Sequence, residues 1–288
     1  MTAQATSSFD LDEYLQRQCA VVDHALEHDL SHYPDASQTL YQAMRYGILP
    51  GGKRIRPILT LAAGEWLGAA QAHLLSFACA VEMTPVDSLI HDDLPALDDD
   101  DLRRGVPAAH KVFGEGMALL AGDGLLTEAF HLLSSAEATR GATPELVVQA
   151  IHELARAAGA LGLVGGQAPD LEAKEKTIGL ATVELIHVRK TGALILATLR
   201  IGAQVAKATS ADLAWLSRYG EYLGLAFQIA DDMLDSHGGE CWHGSRVEPQ
   251  GAEEVTYPSV VGIVVARERL REFLSLSLVD LETFGGAS

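Results

Sequence analysis

Two clusters of aspartates are the residues in this chain whose types and spacing could do chemistry. The first cluster contains Asp92, Asp93 and the run 98–101, and the second contains Asp231, Asp232 and Asp235. Carboxylate oxygens are the ligands that hard divalent cations prefer, and Mg²⁺ often combines a couple of carboxylates with water and substrate phosphates. The spacing therefore predicts two carboxylate sites for Mg²⁺. For the first cluster taken alone, a solvated acidic loop is the alternative.

Local structure should bring the carboxylates of each cluster together. Pro95 is expected to end or bend the helix before it, so that the chain can curl and return Asp98 to the side of Asp92. A straight helix would not allow that at a spacing of six. Asp231 and Asp235 are four residues apart and share one face at the end of a helix, where the helix dipole disfavours negative charge. Two such unfavourable acidic patches indicate that cations neutralise them.

Basic residues stand near these acids in the sequence. Arg103 and Arg104 follow the first cluster, the loop Gly51–Gly52 precedes a basic run 53–56, and Lys190 lies in an otherwise apolar helix. The chain has 21 basic and 39 acidic residues, a net charge of −18, so cations beside Mg²⁺ ligands favour diphosphate recognition. A nucleotide P-loop is a weak alternative for the Gly-Gly-Lys loop, because the P-loop glycine spacing and a preceding strand are missing.

The composition limits the class of protein. The acidic balance argues against a nucleic-acid or anionic-membrane partner. Cys19, Cys79 and Cys241 are few and widely spaced, which predicts reduced thiols rather than disulfides or a zinc site. The N-terminus has no apolar signal segment, and no stretch approaches the roughly 20 uncharged apolar residues that a membrane span needs. We therefore expect a cytoplasmic protein without a membrane span.

The elements that must position these residues are helices. Ala- and Leu-rich segments with a 3.6-residue period predict an all-α fold in one domain over residues 1–288. The predicted helices are Leu61 to Leu67, Leu74 to Ile90, Met117 to Leu133, Pro144 to Leu163, Val183 to Ala206 and Asp212 to Met233. Breaks are predicted at residues 50–52, 105–107, 165–166 and 237–251, and the polar stretch 236–254 reads as a long functional loop.

Taken together, the motifs resemble those of the trans-isoprenyl diphosphate synthase family, of the bacterial farnesyl and geranylgeranyl diphosphate synthase type. The similar motifs occur in family order between about residues 40 and 265. They are GGKRIRP from Gly51, DDLPALDDDDLRRG from Asp92, Gly165-Gly166-Gln167 with Asp170, KTGAL from Lys190, and Phe227-Gln228 followed by DDMLD. Because five motifs keep their order, the resemblance is specific for fold and ancestry.

The resemblance implies a single large helical bundle around a central cavity, with the two acid clusters facing each other, and a homodimer. By the same resemblance, Asp92 and Asp98 would hold two Mg²⁺ and Asp231 a third, supported by Asp93 and Asp235. The implied contacts of the allylic diphosphate are Arg103, Lys190, Thr191 and Gln228, and those of isopentenyl diphosphate are Lys53, Arg56 and Arg104. The expected reaction is Mg²⁺-assisted ionisation of the allylic substrate and attack by isopentenyl diphosphate, giving farnesyl or, next, geranylgeranyl diphosphate.

Four positions depart from the family pattern. Pro85 replaces an expected histidine and should kink its helix, while Ser245 and Glu254 replace expected lysines. Asp87 replaces the aromatic residue that floors the product tunnel in fifteen-carbon synthases, and an ionised carboxylate there is unfavourable unless it is paired or neutralised. A weakly active or non-catalytic subunit of a prenyltransferase assembly is therefore an alternative, and a class I terpene cyclase is another.

Overall fold

The computed structural model describes residues 9–31, 37–136, 140–173, 178–236 and 255–285, and these are almost wholly helical. The helices are α1 (Leu11–Asp29), α2 (Gln38–Ile48), α3 (Ile55–Trp66), α4 (Gln71–Asp92), α5 (Ala109–Phe113), α6 (Glu115–Ser134), α7 (Pro144–Ala158), α8 (Leu163–Ala173), α9 (Leu180–His187), α10 (Ala193–Val205), α11 (Ser210–Ser236), α12 (Tyr257–Val261) and α13 (Ile263–Gly285). A two-stranded antiparallel hairpin, β1 (Leu102–Arg103) with β2 (Val106–Pro107), separates α4 from α5. The all-α prediction is confirmed.

Helix α4 lies at the centre of the main core. It packs against α1, α2, α3, α6, α7 and α10, and residues on all sides of it are buried. A helix that is apolar around its whole circumference can be stable only inside a bundle, where neighbours cover every face. Packing on every side therefore fixes the carboxyl end of α4, which carries the first aspartate cluster.

Helix α11 carries the second aspartate cluster and has its own neighbours. It packs against α10, α12, α13 and the segment between α9 and α10. Val183, Ile229, Tyr257 and Ala266 form a separate buried cluster beneath its carboxyl half. The end of α11 is thus positioned by chain segments both before and after it in the sequence.

The break predicted at Gly165–Gly166 is wrong. Both glycines lie inside α8, and the chain turns earlier, between α7 and α8. At that turn the backbone approaches itself closely: a Cβ on Gly162 would lie 1.9 Å from the Ala157 carbonyl oxygen. Glycine pairs often mark turns, but at Gly166 the small residue serves close packing of the helix against a neighbour.

Local structure differs from the expectation at one further segment, and Pro85 lies inside a helix. The predicted continuous helix from Val183 to Ala206 contains a π turn, Val188–Gly192, between α9 and α10. Helix α4 continues past Pro85 to its end at Asp92, with Pro85 itself buried, and the kink expected at this proline stays a prediction. Tertiary packing on every side of α4 compensates for the backbone hydrogen bond that a proline cannot donate.

One segment of the described residues, 144–173, is long and apolar enough by length and composition alone to cross a membrane. It comprises α7 and α8, and the side chains of Ala150, Leu154 and Ala157 on α7 pack into the main core. A core helix of a water-soluble protein passes the same test, so the segment is weak evidence, and the absence of a membrane span stays a prediction.

Candidate active site

The first aspartate cluster forms a tight turn at the end of α4. The helix ends at Asp92, and the backbone N–H of Asp98 donates a 2.9 Å hydrogen bond to the carbonyl oxygen of Asp92. Asp99 adopts a left-handed backbone with φ of 55°, which reverses the chain. The predicted return of Asp98 to Asp92 after Pro95 is confirmed.

Asp92 carries a buried carboxyl group, and burial makes its ionised form unfavourable. Its side chain accepts a 2.7 Å hydrogen bond from Nε2 of Gln167 on α8, and the residue is 5% exposed. Burial raises the pKa of Asp92 to about 6, while nearby Lys190 lowers it and the charge of Asp98 raises it. A cation at this carboxylate would relieve the unfavourable burial.

Arg103 is held by the acids of the first cluster. Its guanidinium donates to Oδ1 of Asp93 through Nε, at 2.8 Å, and through Nη2, and Nη2 also donates to Oδ2 of Asp100 at 3.0 Å. The β1–β2 hairpin places the arginine, since Arg103 is its last residue before the turn. Burial raises the pKa of Asp93, and the contact with Arg103 works against that rise.

Four cations with different surroundings lie in or near the basic loop before α3: Lys53 and Arg54 in the loop, Arg56 in the first turn of α3 and Arg104 in the turn of the hairpin. Lys53 is exposed, and its Nζ lies 3.9 Å from Oδ1 of Asp231 in the second cluster. Nε of Arg56 is buried and makes no hydrogen bond within the described residues. Arg104 reaches back to this loop and donates from Nη1 to the carbonyl oxygen of Gly51, so the three predicted substrate-binding cations lie around one loop. Arg54, by contrast, is fully buried.

The π turn Val188–Gly192 joins the two acid clusters. Nζ of Lys190 donates to Oδ2 of Asp170 at 2.6 Å and lies close enough to Asp92 to stabilise its charge. The next residue, Thr191, donates from its hydroxyl to Oε1 of Gln228 at 2.6 Å, one helical turn before the second cluster. Consecutive residues thus point toward different clusters, since neighbouring side chains on a helix leave its axis about 100° apart. A π turn within a helix is rare and often marks a functional site.

Glycines on two sides make room for this turn. A Cβ on Gly166 of α8 would lie 2.4 Å from the backbone nitrogen of Lys190, and a Cβ on Gly224 of α11 would lie 2.8 Å from Cα of Gly192. Both of these nearest atoms belong to the backbone, which cannot shift to make room for a new Cβ as the end of a flexible side chain can. The two glycines therefore let α8 and α11 approach the π turn closely and fix its position.

The aspartates of the second cluster have different environments. The side chain of Asp231 is 44% exposed, and burial of the rest raises the pKa of its carboxyl, with Lys53 lowering it. Asp232 is buried and hydrogen-bonded to Gln228 and to the backbone of Tyr257. The side chain of Asp235, and the predicted departures at Ser245 and Glu254, lie outside the described residues.

Comparisons with known proteins agree with this geometry. Residues 37–275 match the family model described as polyprenyl synthetase. The chain belongs to the polyprenyl synthetase family. It is 42% identical over 265 residues to a farnesyl diphosphate synthase of Geobacillus stearothermophilus, covering 92% of this chain and 89% of that protein. It is 39% identical over 285 residues to a chloroplastic geranylgeranyl pyrophosphate synthase of Capsicum annuum, covering 98% of this chain and 76% of that protein.

A solved structure of an FPP/GFPP synthase from Zymomonas mobilis has the same fold. It superposes with a TM-score of 0.83 at 34% sequence identity and covers 95% of this chain and 92% of that chain. The resemblance stated from the motifs is therefore confirmed over most of the chain, and the helical scaffold around the acid clusters is that of the polyprenyl synthetase family.

Asp87, which departs from the expected pattern of the family, is buried between α4 and α6. Its Oδ1 lies 3.3 Å from Nδ1 of His91, and Nε2 of the same imidazole lies 2.9 Å from the carbonyl oxygen of Leu119 on α6. The space for both side chains comes from Gly122, where a Cβ would lie 2.3 Å from the His91 ring. Burial raises the pKa of Asp87 to about 6, with His91 lowering it and Asp123 raising it.

A small cavity of about 30 Å³ lies beside Arg103 and Arg104. It is lined by α2, the second half of α4 and the hairpin, and Asp93 and Ile90 contribute to its wall. That volume has room for about one water molecule, so the cavity is a gap in the packing rather than a pocket for a substrate.

Sequence reasoning quoted Gln167, Asp170 and Asp232 within motifs but gave them no role of their own. Gln167 contacts Asp92, Asp170 holds Lys190, and Asp232 contacts Gln228. Their presence in the motifs was the available signal. The partners of Gln167 and Asp170 are 75 and 20 residues away in sequence, so spacing alone could not identify those contacts, whereas Gln228 is four residues before Asp232 on the same helix.

Proposed function

We propose that this protein is a short-chain trans-prenyl diphosphate synthase that joins isopentenyl diphosphate to an allylic diphosphate. The observation that carries the proposal is the π turn, which directs Lys190 toward the first acid cluster and Thr191 toward the second. One rigid segment can thereby hold a polyanionic substrate between two carboxylate sites. The names of the relatives support farnesyl diphosphate as the main product and geranylgeranyl diphosphate as the next.

The donor set suits Mg²⁺. It consists of carboxylates, and Asp92 is a buried acid whose raised pKa would fall beside a cation. Among the residues with described side chains, no three acidic, histidine or cysteine groups converge into a protein-only metal site. That arrangement fits an ion that takes several ligands from water and substrate phosphate. By resemblance to the family, three Mg²⁺ ions are proposed, held by Asp92, Asp93, Asp98, Asp231 and Asp235.

When bound, Mg²⁺ supplies Lewis-acid stabilisation of the charge that develops on the departing diphosphate. The protein's own cations act on the same charge: Arg103 offers a planar fork and Lys190 a compact point charge. Both are held by carboxylates, Asp93 and Asp170, so they are oriented before substrate arrives. Lys53, Arg56 and Arg104 are proposed to hold the diphosphate of isopentenyl diphosphate from the other side of the site.

The hydrocarbon part of the substrates needs a dry surface. The allylic cation formed on ionisation reacts with water unless water is excluded, and apolar helices can exclude it. Helix α4, which is buried on all sides and includes the apolar residues Val86 and Ile90, is proposed to supply such a surface. The isopentenyl double bond can then attack the cation, and a diphosphate oxygen is a suitable acceptor for the proton that is lost.

A homodimer in the cytoplasm is part of the same proposal. Large apolar side chains of α6 and α7 are exposed, among them Leu119, Leu120 and Val148. Such residues are favourable on a surface that a second copy covers. Light scattering should give twice the mass of the chain, about 61 kDa for a dimer of 30.7 kDa subunits, and Leu120→Glu should lower it; a monomer in the unmodified protein would contradict this part.

Product analysis tests the proposed activity. Purified protein with Mg²⁺, isopentenyl diphosphate and geranyl diphosphate should form farnesyl diphosphate. Asp92→Asn should reduce the rate by about a hundredfold or more, because the site loses a charged oxygen ligand, while the matched variant Asp29→Asn on α1 should not. If the unmodified protein forms no elongated product with any divalent cation, the proposal fails, and a non-catalytic subunit becomes the better interpretation.

A further inference from the structure

Asp232, the middle acid of the second cluster, has both carboxylate oxygens engaged by the protein. Oδ1 accepts a 2.9 Å hydrogen bond from Nε2 of Gln228, and Oδ2 accepts a 2.6 Å hydrogen bond from the backbone N–H of Tyr257. Oδ2 also lies 3.2 Å from Nε2 of His187. The residue is only 6% exposed, whereas its neighbour Asp231 presents a half-exposed carboxylate. The two adjacent acids are therefore in different situations.

The charge of Asp232 sets the direction of the next hydrogen bonds. An ionised carboxylate can only accept, so the side chain of Gln228 must turn its NH₂ group toward Asp232. Its Oε1 then faces Thr191, whose hydroxyl must donate to it, and this bond is 2.6 Å long. A chain of hydrogen bonds thus runs from Asp232 to Thr191 with a single allowed polarity.

The other side of Asp232 is a docking point for the chain that follows the second cluster. Tyr257 is the first residue of α12 and is fully buried. Its ring stacks on His187, with centroids 5.9 Å apart, and its hydroxyl donates to Oε1 of Glu184 at 3.2 Å. Since Asp232 accepts from the backbone of Tyr257, the position of α12 and the orientation of Gln228 depend on the same carboxylate.

We propose that Asp232 is a positioning residue with two roles. It docks the start of α12 on α11, and it fixes the direction of the hydrogen bonds of Gln228 and Thr191, the side chains proposed to contact the allylic diphosphate. It acts through these neighbours rather than as a ligand of the metal. The proposal rests on the proposed function for the identity of the substrate. The first role, docking of α12, concerns the fold alone and can be tested without measuring catalysis.

Hydrogen exchange tests the docking. In metal-free protein, Asp232→Ala should accelerate exchange of the Tyr257 amide by at least about tenfold, because the hydrogen bond that protects it is lost. Asp232→Asn keeps a carbonyl oxygen for this bond and should change the rate by less than about threefold. Asp231→Asn is the matched control and should leave the amide unchanged. Wild-type exchange in Asp232→Ala would overturn the docking role. If that variant does not fold, Asp232→Leu replaces it, because leucine has a similar shape and no acceptor: acceleration of at least about tenfold supports the docking role, and wild-type exchange overturns it.

Kinetics test the positioning. In Asp232→Asn the new NH₂ group faces Gln228, so the amide of Gln228 must rotate to present its oxygen to that group and its own NH₂ group to Thr191. The side chains proposed to bind the allylic diphosphate are then misoriented, and the KM for geranyl diphosphate should rise by about tenfold. The KM for isopentenyl diphosphate and the Mg²⁺ concentration for half-maximal rate should stay within about twofold, whereas Asp231→Asn should raise the Mg²⁺ requirement. If both variants raise the Mg²⁺ requirement equally, Asp232 is a metal ligand and the proposal is wrong.

Failure of the proposed function can be told apart from failure of this inference. If the unmodified protein forms no product, calorimetry with inorganic diphosphate and Mg²⁺ can compare the diphosphate affinity of the unmodified protein with that of Asp232→Asn without catalysis. A roughly tenfold weaker affinity in Asp232→Asn at an unchanged Mg²⁺ requirement supports the positioning role. Equal affinities in the variant and the unmodified protein overturn it.

Discussion

Asp87 offers a quantitative test of how burial acts on this fold. The carboxyl is enclosed between α4 and α6, and burial raises its pKa from 3.8 to about 6 even though His91 lies 3.3 Å away. The native state therefore binds a proton more tightly than the unfolded chain does. Replacement by its neutral isostere, Asp87→Asn, should stabilise the protein at neutral and alkaline pH.

The magnitude follows from the difference between the two pKa values. Because the folded pKa is the higher one, the unfavourable contribution is small below the unfolded pKa and grows as the pH rises toward 6. It is about 0.5 kcal/mol near pH 4 and reaches about 3 kcal/mol near pH 8, where the carboxyl is ionised in both states. Asp87→Asn should thus raise the free energy of unfolding by up to about 3 kcal/mol near pH 8 and by little near pH 4.

Urea unfolding at about pH 4 and about pH 8, in the presence of EDTA, measures this difference. Glu221→Gln on α11 removes an exposed acid and is the control; it should stay within about 0.5 kcal/mol of the unmodified protein at both pH values. The reasoning is refuted if Asp87→Asn destabilises the protein near pH 8. That result would mean that the pair of Asp87 with His91 stabilises the fold by more than burial of the charge opposes it.

Three further outcomes are expected. Gly166→Ala should reduce kcat/KM by about tenfold or more and the unfolding free energy by about 1–3 kcal/mol, since its Cβ would lie 2.4 Å from the backbone nitrogen of Lys190. The control Gly179→Ala, which has open space at its Cβ, should change neither kcat/KM nor the unfolding free energy. Steady-state kinetics and thermal denaturation measure the two quantities. Arg54→Ala should cost about 3–5 kcal/mol in urea unfolding because it leaves the buried carboxylate of Glu82 unpaired. Arg45→Ala, which breaks a pair with the exposed Glu27, should cost less than about 1 kcal/mol; similar values for both would contradict this. EDTA should abolish activity without changing the far-ultraviolet circular dichroism, and Mg²⁺ should restore it; persistent activity in EDTA would contradict a role for the metal.

The sequence by itself determined the features that depend on neighbours along the chain. The apolar period of 3.6 residues predicted the long helices α4, α6, α7, α10 and α11, since one turn of helix is a local structure, but it did not predict α1 or α13. Pro95 predicted the end of α4, and from this the contact of Asp98 with Asp92 followed, which the 2.9 Å hydrogen bond confirms. The order of the motifs was sufficient to identify the family, because motif residues can be recognised without knowing their contacts.

Only the tertiary structure decided the features that depend on residues distant in the sequence. Gly166 lies in a helix rather than a break, because its lack of a side chain serves contact with Lys190. The π turn is invisible in the period of its sequence, and Asp232 is distinguished from Asp231 only by Gln228, His187 and the Tyr257 backbone around it. Burial, donor direction and close approach are set by packing between elements, and a linear sequence does not state which elements meet.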